Sequence, residues 1–404
     1  MTDWCKVAAS RLAQIAEVSE SGAGVTRLPF TPEHQQAVAL LTKWMEEAGL
    51  SVNLDCAGTL IGRKPGPKGS GTFYMGSHQD SVRQGGAYDG IMGIVLPILA
   101  MQRLKQDGTT LPYSVEVLAF ADEEGVRFPT ALMGPRALAG TFDPAVLDYV
   151  DTAGISLRQA MVDFGLAPNA VTSLKRDRGT AIGYLETHIE QGPVLEDAGK
   201  PLGVVTAICG IERHQITLTG ETGHAGTLPM SSRRDALVGA AAIVTEVNRL
   251  ASATPDLRGT VGALQMHPNV VNAVPKVVQM TVELRSPDDA VRETASAALR
   301  EFASKTATRM ALDLSMDRTY AQPAQACDPV LTRALGEAVT ARCGTALTLP
   351  SGATHDASAM ADLCPIAMLF VRCRGGVSHV PEEYASSNDL GTAIDAICAF
   401  LTRE

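Results

Sequence analysis

Residues 212–221, ERHQITLTGE, alternate polar and apolar side chains, the period-two pattern of a strand with one covered face. Working outward, SRRDALVGAAAIVTEVNRLA (232–251) places apolar residues at helical spacing, and RGTVGALQMH (258–267) and KVVQMTVELRS (276–286) return to strand patterning. PDDAVRETASAALREFASKTA (287–307) is a second helix and ALDLSMDRTY (311–320) a last strand. The order β-α-β-β-α-β is that of a ferredoxin-like α+β unit. It predicts a small domain over residues 210–318.

The flanking segments read differently. TFYMGSH (72–78), SVEVLAFAD (114–122) and PIAMLFVRC (365–373) are short apolar runs typical of buried strands. GGAYDGIMGIVLPILAMQRLK (85–105) reads as a loop feeding a helix in spite of Pro97, and helical spacing recurs over 4–20, 32–49 and 389–404. Strands alternating with helices predict a layered α/β/α domain. Residues 1–209 and 319–404 would build it, with the ferredoxin-like unit inserted between them. Clefts between domains are common ligand sites.

The chain has 404 residues, 45% of them hydrophobic, enough for a sizeable core. Its net charge of −10 argues against phosphate backbones as partners, so no nucleic acid is expected. The eight cysteines show no C-x-x-C spacing, as expected of a reducing compartment and a cytoplasmic protein. The first twenty residues lack the apolar stretch of a signal peptide, and no apolar run long enough for a membrane span stands out.

Chemistry gathers at the strand ends. His78 closes a buried strand with Asp80 two residues on, a carboxylate able to hold a metal-bound imidazole from behind. Asp89 lies in a glycine-rich loop opening a helix. Asp122, Glu123 and Glu124 are adjacent carboxylates that repel one another unless a cation offsets them. His188 follows the strand AIGYLET, and His379 lies shortly after the last buried strand. Each has an ordinary alternative: a strand-end cap, an N-cap, a solvated acidic loop, a loop histidine. Together, three imidazoles with Asp89 and Glu124 form a donor set suited to borderline divalent ions. His34, His214 and His267 read as structural or surface histidines.

These segments resemble the dinuclear-metal amidohydrolases of the M20 peptidase clan, in the branch of allantoate amidohydrolases, N-carbamoyl-L-amino acid hydrolases and β-ureidopropionases. The resemblance runs through GVTRLPFT (24–31), GSHQDSV (76–82), GGAYDGIMG (85–93), DEEGVRF (122–128), ETHIEQGPVLE (186–196), GHAGTLPM (223–230), RRDAL (233–237), PNVVNAVP (268–275), VELRSPD (282–288), SGATHDA (351–357) and SHVPEEY (378–384). It implies two divalent ions per subunit, zinc first among manganese, cobalt and nickel. Asp89 would bridge them, with His78 and His188 on one and Glu124 and His379 on the other. Glu123 would be the general base. It implies that His224 of the inserted domain reaches a neighbouring subunit's site to steady the oxyanion. Asn272 and Arg285 would bind the substrate carboxylate there. Gln191 and the backbone of Gly352 and Ala353 would hold the ureido or amide end, while His355 and Asp356 stand behind the ligands.

The expected reaction is hydrolysis of the C–N bond of N-carbamoyl-L-amino acids, with allantoate next. The expected assembly is a homodimer through the inserted domain, closing over a small carboxylate-bearing substrate. A dipeptidase or N-acyl-amino-acid hydrolase of the same clan, and a binding protein on the same fold, are the alternatives. Thr354 stands where the family usually has glycine, so its side chain is expected to narrow the pocket near the amide end.

Overall fold

The computed structural model describes residues 2–403, which fall into two compact units, 2–206 with 327–349 and 354–403, and 207–326 with 350–353.

The first unit is built on a mixed sheet of layered α/β type. Four parallel strands form its centre, in the order Ser114–Phe120, Thr72–His78, Ala181–Ile189 and Ile366–Val371. Leu60–Lys64 and Ser51–Leu54 extend one side antiparallel, and Leu202–Ile208 pairs on the other. Parallel neighbours need crossovers, and helix Met92–Gln106 carries the chain from Thr72–His78 to Ser114–Phe120. That helix is apolar nearly all round and buried from Met92 to Met101, so packing outweighs the missing N–H of Pro97. Helices Trp4–Ala16 and Ser387–Leu401 pack beside it in the same core.

Three boundaries differ from the sequence reading. The first helix stops at Ala16 instead of residue 20. The buried guanidinium of Arg27 takes the Ile15 carbonyl of that helix's last turn and the Val18 carbonyl just beyond it, at 3.1 and 3.0 Å. The strand read as AIGYLET runs on to Ile189, so His188 lies within it, in register with Phe370. The last helix starts at Ser387, where the Ser386 hydroxyl accepts from the Asp389 N–H at 3.1 Å. Helix Pro329–Cys343 and strand Leu202–Ile208 were not legible in the sequence.

The second unit holds a four-stranded antiparallel sheet in the order Asp313–Gln322, Gly210–Thr219, Val277–Ser286, Arg258–His267. Helices Ala236–Ala253 and Asp289–Arg309 pack against one face, burying Val278, Met280, Val282 and Leu284 with Ile216, Ile243 and Leu299. The opposite face carries the alternate residues Gln279, Thr281, Glu283 and Arg285. Ala236–Ala253 is long and apolar enough, by composition alone, to cross a membrane. Its apolar stripe of Ala236, Gly239, Ala240, Ile243 and Val247 is buried, and it carries the Glu246–Arg249 ion pair.

Candidate metal centre

Open α/β sheets present ligands at the carboxyl ends of their parallel strands, and all four central strands contribute here. His78 ends its strand opposite Phe120, which leads into Glu123 and Glu124. His188 sits near the end of the third strand. Asp89 follows His78 on the loop into helix Met92–Gln106, and His379 follows the fourth strand.

Their donor atoms converge. His78, Asp89 and His188 each offer one within 4.8 Å of the others, as do Asp89, Glu124 and His379, and His78, Glu123 and Glu124. Asp89 is common to the first two groups. One of its oxygens lies 3.2 Å from His188 Nε2 and the other 3.2 Å from His379 Nε2. The ring orientations suit coordination. His78 Nδ1 faces the Asp80 carbonyl at 3.0 Å and its carboxylate at 3.4 Å, and His188 Nδ1 faces the Ile189 carbonyl at 2.9 Å. Both rings are thereby left with Nε2 toward the cluster. The backbone N–H groups of Glu123 and Glu124 also donate to Asp80, at 3.1 and 3.2 Å. One buried aspartate therefore positions a histidine and two glutamates.

Electrostatics test whether cations fit. Glu124 Oε1 is buried without a hydrogen-bond partner, a costly condition that a bound cation relieves. Burial, reinforced by neighbouring carboxylates, pushes the Glu123 carboxyl well above its usual range and Glu124 up to about 7. Burial acts against protonation of His78, but Asp80 and Glu123 outweigh it and raise its pKa. Contact with Asp89 raises His379 to about 8. Against burial, contact with His188 and His379 holds Asp89 well below its usual range; glutamates and imidazoles held up around it mark a site short of positive charge. The residues therefore fit divalent ions.

The surrounding loops are shaped around this cluster. Gly90 has φ +64°, and a Cβ there would lie 2.3 Å from the His78 ring. A Cβ on Gly86 would lie 2.2 Å from Glu383 Oε1. That oxygen accepts from the Tyr88 and Asp89 N–H groups, both at 3.0 Å, while Oε2 accepts from the Ser378 hydroxyl at 2.5 Å. Gln191 donates to Asp89 and to Ser378 at 3.3 and 3.2 Å. Gln191 and His379 both adopt the left-handed backbone region, φ 58° and 62°, at a cost of roughly 1–2 kcal/mol each. Behind His188, His355 meets its ring edge-on with centroids 4.5 Å apart. Glu186 accepts from Ser77 and from the Ala357 N–H at 2.8 and 2.7 Å, and Asp356 is fully buried. The sequence reading missed the roles of Glu186 and Glu383, although both lie inside quoted motifs.

The other expected residues belong to the second unit and separate into two groups, His224 with Asn272 and Arg285 with Gly352 and Ala353. His224 bridges to Ala273, and the Ala225 N–H donates to the Asn272 carbonyl at 2.9 Å. Arg285 instead donates to the Gly352 carbonyl at 2.7 Å, and the Ala353 N–H donates to Ser351 Oγ at 3.2 Å. Asn272 precedes Val277 and Arg285 lies near the far end of the same strand; Val277 to Arg285 alone spans roughly 27 Å at about 3.4 Å per residue, and Asn272 and His224 lie beyond Val277. Of the remaining histidines, His34 and His214 are buried and fill structural roles, His214 beside Glu212 at 2.8 Å.

A parallel-strand α/β unit whose strand ends gather imidazoles and carboxylates around one shared aspartate has the donor set of a divalent-metal centre. The chain belongs to peptidase family M20/M25/M40, whose family model matches residues 74–403. It is 39% identical over 389 residues to an N-carbamoyl-L-amino acid amidohydrolase of Geobacillus stearothermophilus, covering 96% of this chain and 95% of that one. It is 37% identical to an allantoate deiminase of Arabidopsis thaliana, covering 98% and 81%. A crystal structure of an amidase of the hydantoinase/carbamoylase family from Burkholderia multivorans superposes with a TM-score of 0.92, 33% identity and coverage of 98% and 97%. The chain is thus a hydrolase of C–N bonds, an amidohydrolase of this family.

Proposed function

We propose that the protein hydrolyses N-carbamoyl-L-amino acids to the free amino acid, ammonia and carbon dioxide. The observation that carries this reading is the convergence of His78, Asp89, Glu124, His188 and His379, with Glu123 half-buried beside them. His78 and His188 would hold one divalent ion, Glu124 and His379 a second, and Asp89 both. Zinc suits this mixed set, and manganese, cobalt and nickel also accept it. Such ions supply Lewis acidity toward the carbonyl and lower the pKa of water.

The chain's own residues do the rest. Glu123 takes a proton from the attacking water and returns it to the leaving nitrogen. Asp80 keeps His78 and the Glu123 backbone in place. Arg285 binds the substrate carboxylate through a guanidinium fork. Asn272 adds a contact to it, His224 steadies the oxyanion, and Gln191 and the Gly352–Ala353 backbone orient the ureido end. A substrate the size of an amino acid cannot span the distance between Arg285 and the His224–Asn272 pair of one chain. We therefore assign His224 and Asn272 to the site of a second subunit in a homodimer formed through the second unit, which also acts as a lid.

Allantoate is the second reading, favoured by the identity to the allantoate deiminase. The test is a panel of N-carbamoyl-L-amino acids, allantoate, N-acetyl amino acids and dipeptides with metal-loaded protein, reading ammonia and free amino acid. N-carbamoyl substrates are expected to lead in kcat/KM by tenfold or more. Allantoate in the lead would install the second reading, and a dipeptide in the lead would reject both.

A further inference from the structure

On the open face of the second unit's sheet, Glu283 lies between two arginines. Its Oε1 accepts from Arg285 Nε at 2.6 Å and its Oε2 from Arg213 Nε at 2.5 Å. Strand register explains the arrangement. Glu283 and Arg213 are direct cross-strand partners, and Arg285 follows on the same face two residues along. Arg213 is braced in turn, its guanidinium 4.9 Å from the Tyr320 ring centre. Arg285 is held a second time by the Gly352 carbonyl at 2.7 Å. Two of its five N–H donors are thus engaged by the protein. The three that remain lie on the outer Nη groups, where a carboxylate is gripped by two parallel bonds.

We propose that Glu283 is a positioning residue for substrate recognition, fixing the plane of Arg285 so that the outer edge of its guanidinium is presented to the substrate carboxylate. The inference rests on the reading of Arg285 as the carboxylate-binding residue. Two opposing effects follow from removing Glu283. Arg285 would gain unneutralised charge, but its side chain keeps 28% of its surface in water, which moderates such attraction. It would also lose its charged anchor and regain the freedom of a long side chain, which must be ordered again on binding. The ordering cost is the larger, so binding of carboxylates weakens.

The test compares wild type, Glu283→Ala, Glu283→Gln and Arg285→Met on an N-carbamoyl-L-amino acid and on its carboxamide, which lacks the negative charge. Glu283→Ala is expected to raise KM for the acid about tenfold, with kcat within twofold and kcat/KM for the carboxamide unchanged. Glu283→Gln, which keeps the shape and one acceptor, should fall between. If Arg285→Met raises KM for the acid while both Glu283 variants match wild type, the positioning role is overturned and the carboxylate contact stands. Equal losses on acid and carboxamide would mark Glu283 as merely structural and also overturn it. An Arg285→Met variant with an unchanged preference for the acid would instead overturn the reading of Arg285.

Discussion

At the scale of single residues, the metal-site candidates were legible because they stand where strands end. An apolar run closing on His78, or on Asp122, Glu123 and Glu124, puts polar donors at the rim of a buried sheet, and three adjacent acids that alone read as a solvated loop gain meaning from the histidines at the other strand ends. Glu383 and Glu283 were not legible, because their partners are set by folding: Glu383 accepts from Asp89, 294 positions away in the chain. His34 gives a residue-scale prediction outside the site. Its ring is fully buried, stacked on Phe164, and its Nδ1 accepts from the Phe30 N–H at 3.0 Å. Burial first, and the charge of Arg27 second, lower its pKa from 6.5 to about 3. Between those values the unfolded chain binds a proton that the folded chain refuses. The stability this contributes is complete above pH 6.5 and lost as pH falls toward 3, by up to roughly 1.4 kcal/mol per pH unit. A His34→Gln variant, less stable at pH 7.5, should close on wild type by about 2 kcal/mol between pH 6.5 and 4.5 in urea unfolding. Parallel curves for the two proteins would contradict this.

At the scale of elements, the strand and helix patterns were readable where one period dominated, as in Val277–Ser286. They failed where tertiary contacts set an end, as Arg27 does for the first helix. The loops around the metal centre belong to this scale. Glu383 ties the loop carrying Asp89 to the loop carrying His379 by accepting from both. Removing its carboxylate leaves the Tyr88 and Asp89 N–H groups without that acceptor and frees two ligand loops at once. Glu383→Ala is therefore expected to lower metal affinity 10- to 100-fold, in line with the loss of groups that orient metal ligands. Chelator competition reads this directly, and an unchanged affinity would show that the loops hold themselves.

At the scale of the whole molecule, the separation of Arg285 from Asn272 was latent in the strand read over 276–286, whereas the place of His224 beside Asn272 depends on its pairing with Ala273, which only folding sets. This separation makes the proposed dimer testable by mixing. Arg285→Met and His224→Ala proteins should each be nearly inactive alone. Subunit exchange between them would create one site with both residues intact in each mixed dimer, restoring up to about a quarter of wild-type activity. No recovery, despite exchange confirmed by sedimentation of tagged chains, would place all these residues in one subunit's site. The central claim remains that Glu123 moves the proton in a C–N hydrolysis at a centre held by five other residues. Ammonia release from an N-carbamoyl-L-amino acid by metal-loaded wild type and Glu123→Gln, at matched metal content, tests it most directly. The expected result is two bound metal ions in both proteins and a fall in turnover of at least about 100-fold in the variant; undiminished turnover by Glu123→Gln would contradict it.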